Sequence, residues 1–363
     1  MNKVNPWLEQ KIPLAEPRAS PLRYIIEVTP GTRQEVLRQI REVPDLGIVS
    51  QPADRYIVVE APSRVLPRIE SIPEVTKIHA ETLAWIKHPL PVLGLPSPLE
   101  MLKIPTRFDP YLGDVRLSAI EVPVSPGQAL AIGPIKTLFG TVANGMKRYS
   151  TIHQREFMGT PVDNKVKIKC AVADTGLGIV PHLIHPNTQV EMISKVPGEL
   201  AWDGQGHGSW VTTCAFGDDA THPLWGKCDG IADPEHVVHI KCLSNLGFGM
   251  TSWILDAIYD AWQKGCRVLS MSLGGPLQAS AVDDDPLCRL IAAFKDDMIV
   301  VVAAGNDGTE WSIGSPGAAP DALTVGSWSM TDNALSWFSS HGPSGEFYRD
   351  NPEAWRRDLA SRG

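Results

Sequence analysis

The sequence predicts an α/β protein in two parts: a parallel sheet with helices on both faces, preceded by a small ferredoxin-like α+β domain. Three observations carry this reading. From residue 164 onward, apolar runs alternate with amphipathic helical stretches, the pattern of a parallel sheet covered on both sides. Before residue 87, strand-like and helical runs follow one another in the order βαββαβ. Finally, KCAVADTGLG at 169–178, DGQGHGSW at 203–210 and VVVAAGNDG at 300–308 each set one polar residue, Asp174, His207 or Asn306, where the chain turns into glycine.

Composition narrows the function. A chain of 363 residues, 43% hydrophobic and 20% charged, is globular and long enough for two domains. Its net charge of −8 gives no basic footprint for nucleic acid or an anionic membrane. No apolar run reaches the length of a bilayer span. The N-terminal MNKVNPWLEQ lacks the apolar core of a secretory signal, so the product as written is expected inside the cell, or secreted if its true start lies upstream. The six cysteines, at 170, 214, 228, 242, 266 and 288, form no CxxC pair, which argues against zinc. Cys170 and Cys266 adjoin strands and read as small buried thiols.

Residues 1–21 are Pro-rich and aperiodic and are expected to be a flexible arm. The small domain occupies 22–86. Tyr24–Val28 reads as its first strand. Thr32 and Glu35 have the spacing of a capping box, opening a helix with Val36, Leu37 and Ile40 on one face. Strands near 48–50 and 56–60, a helix over 63–71 and a strand over 75–80 complete the order. Nine prolines between Pro89 and Pro134 mark 87–163 as a connector or insertion. The larger domain, 164–363, has strands at 166–173, 237–243, 267–271, 298–304 and 322–326. Helices over 251–264 and 286–295 separate them, the first with Ile254, Leu255, Ile258 and Trp262 inward and Gly265 as its stop.

In such sheets, working residues collect beyond the carboxyl ends of the strands, and Asp174 and Asn306 both follow strands. Alone, each motif is weak. DTGLG lacks the GxGxxG or GK[ST] that a nucleotide site needs, so a Rossmann-type enzyme is disfavoured. A lone histidine is usually a surface or core residue, and asparagine before Asp307 and Gly308 is a common turn.

Taken together, the order Asp174, His207, Asn306 resembles the subtilisin family of serine peptidases. SMSLGG at 270–275 resembles the strand and glycines lining that family's substrate pocket, and LGFG at 246–249 resembles its substrate-pairing edge. GSPGAAPDALTVGS and WFSSHGP resemble the run towards its nucleophile. The small leading domain resembles the family's inhibitory propeptide, whose tail, here IPEVTKIHAETLAW, lies in the substrate cleft.

The resemblance implies that Asp174 orients the imidazole, His207 moves the serine proton and Asn306 donates to the oxyanion. It implies that Leu246, Gly247, Phe248 and Gly249, with Ser272, Leu273, Gly274 and Gly275, bind a polypeptide substrate as an added strand. Phe248 is expected to restrict a nearby subsite. No cofactor is required. Acidic loops at Asp218-Asp219 and at Asp283–Asp285 are read first as solvated charge and second as structural calcium ligands, with no metal site assigned.

The family's nucleophile sits in a GTS[MA] motif, and none occurs before Gly363. Ser339, Ser340 and Ser344 lie in a stretch resembling the segment ahead of the nucleophile and are poor substitutes. The expectation is a serine endopeptidase whose Ser lies outside the chain, read as a truncated or interrupted frame. The alternative is an inactive relative that binds peptide.

Overall fold

The computed structural model describes Val4 and residues 22–86, 165–178, 188–217, 220–222, 226–228, 230–277, 284–329 and 333–342. The arm (Val4 apart) and the connector at 87–163 lie outside the described residues.

The small domain contains β1 (Leu22–Val28), α1 (Arg33–Ile40), β2 (Gly47–Ser50), β3 (Tyr56–Ala61), a 3₁₀ turn at Ser63–Val65 leading into α2 (Leu66–Glu70), and β4 (Val75–Ala80). The sheet order is β2-β3-β1-β4 with every neighbour antiparallel, the ferredoxin-like arrangement. Val36, Leu37 and Ile40 are buried, as their spacing predicts. The capping box does not form. Thr32 is itself helical, and its Oγ1 donates to the Thr29 carbonyl at 2.7 Å instead of accepting from the first turn. Glu35 is drawn away by Arg38 and Gln39, one turn further on.

β1 and β3 are almost continuously buried, where a sheet with one solvated face would alternate. The cause is burial of both faces. Tyr24, Ile26, Ile57 and Val59 pack with α1 and α2, while Ile25, Tyr56 and Val58 join the core of the larger domain.

That larger domain is built on six parallel strands in the order Leu323–Val325, Ile299–Ala303, Val268–Met271, Lys165–Asp174, Asp233–Lys241, Gln189–Ser194. In chain order its elements are β6 (Lys165–Asp174), β7 (Gln189–Ser194), α3 (His207–Phe216), a hairpin of β8 (Ala220–His222) and β9 (Gly226–Cys228), β10 (Asp233–Lys241), β11 (Phe248–Met250), α4 (Thr251–Gln263), β12 (Val268–Met271), α5 (Pro286–Phe294), β13 (Ile299–Ala303) and β14 (Leu323–Val325). A last hairpin joins β15 (Trp328–Ser329) to β16 (Ala334–Leu335). β7 is a polar-patterned edge strand that the apolar-run criterion missed.

Ile254, Leu255 and Ile258 of α4 and Leu290, Ile291 and Phe294 of α5 pack with Leu269, Met271, Val300 and Val302 in one core. α3 covers the other face through Phe216, against Cys170, Val172 and Val237. Further along the sheet, Ile299, Leu323 and Val325 are exposed. Cys170 and Cys266 are buried free thiols.

The small domain docks on α4 and α5. Arg289 of α5 grips Glu27 of β1 through two bonds of 2.7 and 3.0 Å, and His79 of β4 sits 3.4 Å from the same carboxylate. Lys77 pairs with Asp284 at 2.5 Å, and the Ala53 amide donates to Asp256 at 2.7 Å. Asp285 is fully buried, which corrects its reading as solvated charge. It caps α5 by accepting from the Leu287 and Cys288 amides, and it also accepts from the Ser315 hydroxyl.

Candidate active site

Asp174 ends β6, flanked by β10 and β12. Its carbonyl accepts from the amides of Cys242 and Leu243, so the strand end that carries the carboxylate is pinned to its neighbour. His207 opens α3. Its Nδ1 lies 2.7 Å from Asp174 Oδ1, and both side chains are buried. A carboxylate there holds the proton on Nδ1 and leaves Nε2 as the ring's basic nitrogen.

The helix start is shaped for this placement. Gly206 precedes it at φ +101°, a left-handed conformation with no side chain to cap the first turn. Asp203 supplies the cap. Its carboxylate accepts from the amides of Gln205, Gly206 and Ser209 and from the hydroxyls of Thr175 and Ser209, all between 2.6 and 3.0 Å. Burial alone would raise the Asp203 carboxyl, but the bonds from Ser209, Gly206 and Thr175 outweigh it and hold it below its usual range. Thr175 Oγ1 also accepts from the Gly208 amide, so one chain of bonds joins the turn after Asp174 to the helix bearing His207. A Cβ on Gly208 would run into the Gly176 carbonyl, which is why glycine follows the histidine.

A buried cation completes the frame. Lys241, opposite Asp174 in the β10–β6 register, donates to the Thr175 carbonyl and to Asn245 Oδ1, and pairs with Glu199 at 3.2 Å. Asn245 in turn accepts from the Gly204 amide at 3.1 Å. Two loops that flank His207 therefore share one ammonium. Beside them, burial pushes the His239 ring down to about 4, so it is neutral at neutral pH. Sequence reasoning missed Asp203 and Lys241. The signal for Asp203 was present: a carboxylate just ahead of a Gly-rich helix start.

Asn306 stands two residues beyond Ala304, whose amide bonds to Val325. It walls a recess with Ser272, Leu273, Gly274, the Ala303–Gly305 segment and Gly314. Beside this recess lies β5 (Leu83–Trp85), the tail of the small domain, antiparallel to β11. On the β11 side the Ile86 amide donates to the Gly247 carbonyl at 3.0 Å, and on the other side Trp85 and Gly274 exchange bonds of 3.0 and 3.1 Å. Gly275 continues outward through a pair of bonds with Ser315. The two segments picked out at 246–249 and 272–275 thus bracket one extended strand. Phe248 pairs in register with Trp85, and both side chains are partly exposed, so Phe248 faces the open side and does not narrow a buried subsite.

The model of the subtilase family matches residues 165–356. The chain belongs to the subtilase family. It is 33% identical to subtilisin DY of Bacillus licheniformis over 183 residues, 48% of this chain and 61% of that protein. It is 30% identical to subtilisin E of Bacillus subtilis strain 168 over 198 residues, 53% of this chain and 47% of that protein. The chain thus spans about half to three-fifths of these curated relatives. The crystal structure of an epidermin leader peptide processing serine protease from Staphylococcus aureus shares the fold, with a TM-score of 0.58 at 17% identity over 90% of this chain and 73% of that one.

Ser209 donates its hydroxyl to Asp203 and accepts from the Gly178 amide. Trp210 sets its ring edge-on to His207 at 6.0 Å. Ser339 and Ser340 are buried: the first accepts from the Ser327 amide, the second from that of Asp307. Ser344, Asp218, Asp219 and Asp283 lie outside the described residues. Among the described residues no cluster of three or more metal-ligating side chains occurs, and no helix is long and apolar enough to cross a membrane.

Proposed function

We propose that this subtilase chain carries the acid–base pair and the peptide cleft of a serine endopeptidase. The observation that carries the reading is the buried 2.7 Å bond between His207 Nδ1 and Asp174 Oδ1. In this reading His207 Nε2 takes the proton of an attacking serine hydroxyl and returns it to the leaving amine. Asp174 fixes the tautomer and stabilises the imidazolium. Asn306 donates its amide hydrogen to the tetrahedral oxyanion, next to the recess it walls. The substrate is a polypeptide bound as a strand between 246–249 and 272–275, the place taken by the chain's own residues 83–86. Residues 22–86 act as an intramolecular inhibitor whose tail occupies that cleft.

The attacking serine is assigned to no residue of 1–363. Ser339 and Ser340 hold structural bonds, which favours a second reading of the chain taken alone: a subtilase relative that binds peptide without cleaving it. Fluorophosphonate labelling of the native product separates the two. A nucleophilic serine should label, and labelling should be lost in His207→Ala. An unlabelled product that still binds extended peptides would overturn the peptidase reading in favour of the binder.

A further inference from the structure

The occupied cleft shows which substrate side chains it can read, an inference that rests on the peptide-cleft reading above. Along residues 83–86 burial alternates: Leu83 and Trp85 are 44% and 42% exposed, whereas Ala84 and Ile86 are 3% and 8% exposed and belong to the main core. Main-chain bonds on both sides fix this alternation, because a one-residue slip would turn every side chain over. The cleft therefore encloses two of the four side chains and leaves the other two partly in solvent.

Its selectivity comes from what is missing on its walls. A Cβ built on Gly247 would lie 2.8 Å from Ile86 Cδ1 and 3.0 Å from its Cγ1, so the absent side chain is the space that the isoleucine fills. Gly247 is at φ +81°, which disfavours any other residue there. A Cβ on Gly275 would lie 2.9 Å from the Leu83 carbonyl, 3.2 Å from Ala84 Cα and 3.3 Å from its Cβ, so the main chain packs directly on this glycine and brings the buried Ala84 methyl against the wall. By contrast, a Cβ on Gly274, opposite Trp85, would meet only the Ser315 carbonyl at 3.7 Å. Tight, open, tight is the order along the strand.

We propose that the cleft selects peptides with a small residue at the position of Ala84 and a branched aliphatic residue at the position of Ile86, whatever stands between. Gly247 is the specificity-determining residue at the branched position, and Gly275 lets the main chain close enough to enclose the small one.

The test uses the full chain and hydrogen exchange at the backbone amides of Trp85, Ile86, Gly249 and Gly274. Ala84→Phe should speed their exchange by about 100-fold, whereas Trp85→Ala should change it less than about threefold, an energy ratio larger than the scatter of surface substitutions. Unchanged exchange in β1 and β3 would show that the Ala84→Phe chain is folded. Gly247→Ala, which fills the isoleucine space from the other side, should give the same loss. Next, the Ala84→Phe chain is offered the free peptides acetyl-Leu-Ala-Trp-Ile-amide and acetyl-Leu-Phe-Trp-Ile-amide. Restored protection at Gly249 and Gly274 with the first alone supports the proposal. Equal protection by both overturns the selectivity while leaving the cleft reading standing. Protection by neither overturns the cleft reading itself.

Discussion

The small domain touches the rest of the molecule in two places, and they are built differently. On α4 and α5 an apolar seam, Ile25, Tyr56 and Val58 against the larger core, carries side-chain charge: Glu27 with Arg289 and His79, and Lys77 with Asp284. In the cleft, a few residues further along the same chain, the contact is made by main-chain bonds and by side chains fitted against glycine. The first recognises one particular partner, because a buried carboxylate needs its own cation and hydrogen bonds. The second accepts any chain of suitable backbone geometry that satisfies two positions. Under the proposed inhibitor reading the two contacts divide the work: identity at the dock, imitation of a substrate in the cleft.

If that division is right, removing charge should loosen the dock far more than the cleft strand. Arg289→Ala leaves Glu27 buried with His79 as its remaining ion-pair partner among the described residues. Because about a third of the Arg289 side chain is exposed, a loss of about 2–4 kcal/mol in docking is expected, below the full value for a buried pair. Hydrogen exchange should show the drop at Ile25 and Tyr56, while Ile86 and Gly274 lose less. Parallel losses at all four would mean that the two contacts form a single cooperative unit, and the distinction would fail.

Acid should do the same more gently. Burial would raise the Glu27 carboxyl, but the bonds and charges of His79 and Arg289 reverse this and bring it from 4.5 down to about 2. A depressed carboxyl stabilises the docked form fully above its unfolded value, and this stability is lost as pH falls through the folded one. Docking should therefore be flat above pH 5 and weaken between about pH 4.5 and 2, by about 2–3 kcal/mol in all. The cleft strand contributes no titrating group to its ladder, so its protection should follow only after the dock opens. In Glu27→Gln the acid dependence at Ile25 should flatten; an unchanged profile would shift the titration to other groups.

The same contrast decides how much could be read in advance. The βαββαβ order and the alternating strands and helices were legible because burial of apolar side chains leaves a period in the sequence. Asp174 and His207, which the fold brings to 2.7 Å, were legible through glycine punctuation around single polar residues. The docking charges were not. Glu27, His79 and Arg289 sit in three separate elements and look like ordinary polar residues until the fold brings them together. Lys241 was hidden in the same way, as a lysine at the end of an apolar strand where solvent exposure is the default. The cleft strand fell between these cases: a three-residue β5 carries too little pattern to announce itself.

The capping box shows the opposite error, a local pattern that promised more than the fold uses, and it provides the smallest effect. A threonine that accepted from the first turn would contribute about 1 kcal/mol to helix stability. Thr32 instead donates to the Thr29 carbonyl on the exposed surface of α1, away from both dock and cleft. That bond competes with water at little net gain, so Thr32→Ala should change urea stability by less than about 0.5 kcal/mol. It should leave exchange at Ile25, Tyr56, Ile86 and Gly274 unaltered. A loss near 1 kcal/mol would mean that the side chain does cap the helix in solution, and that the small domain's own folding, together with its two contacts, controls how firmly the tail is held.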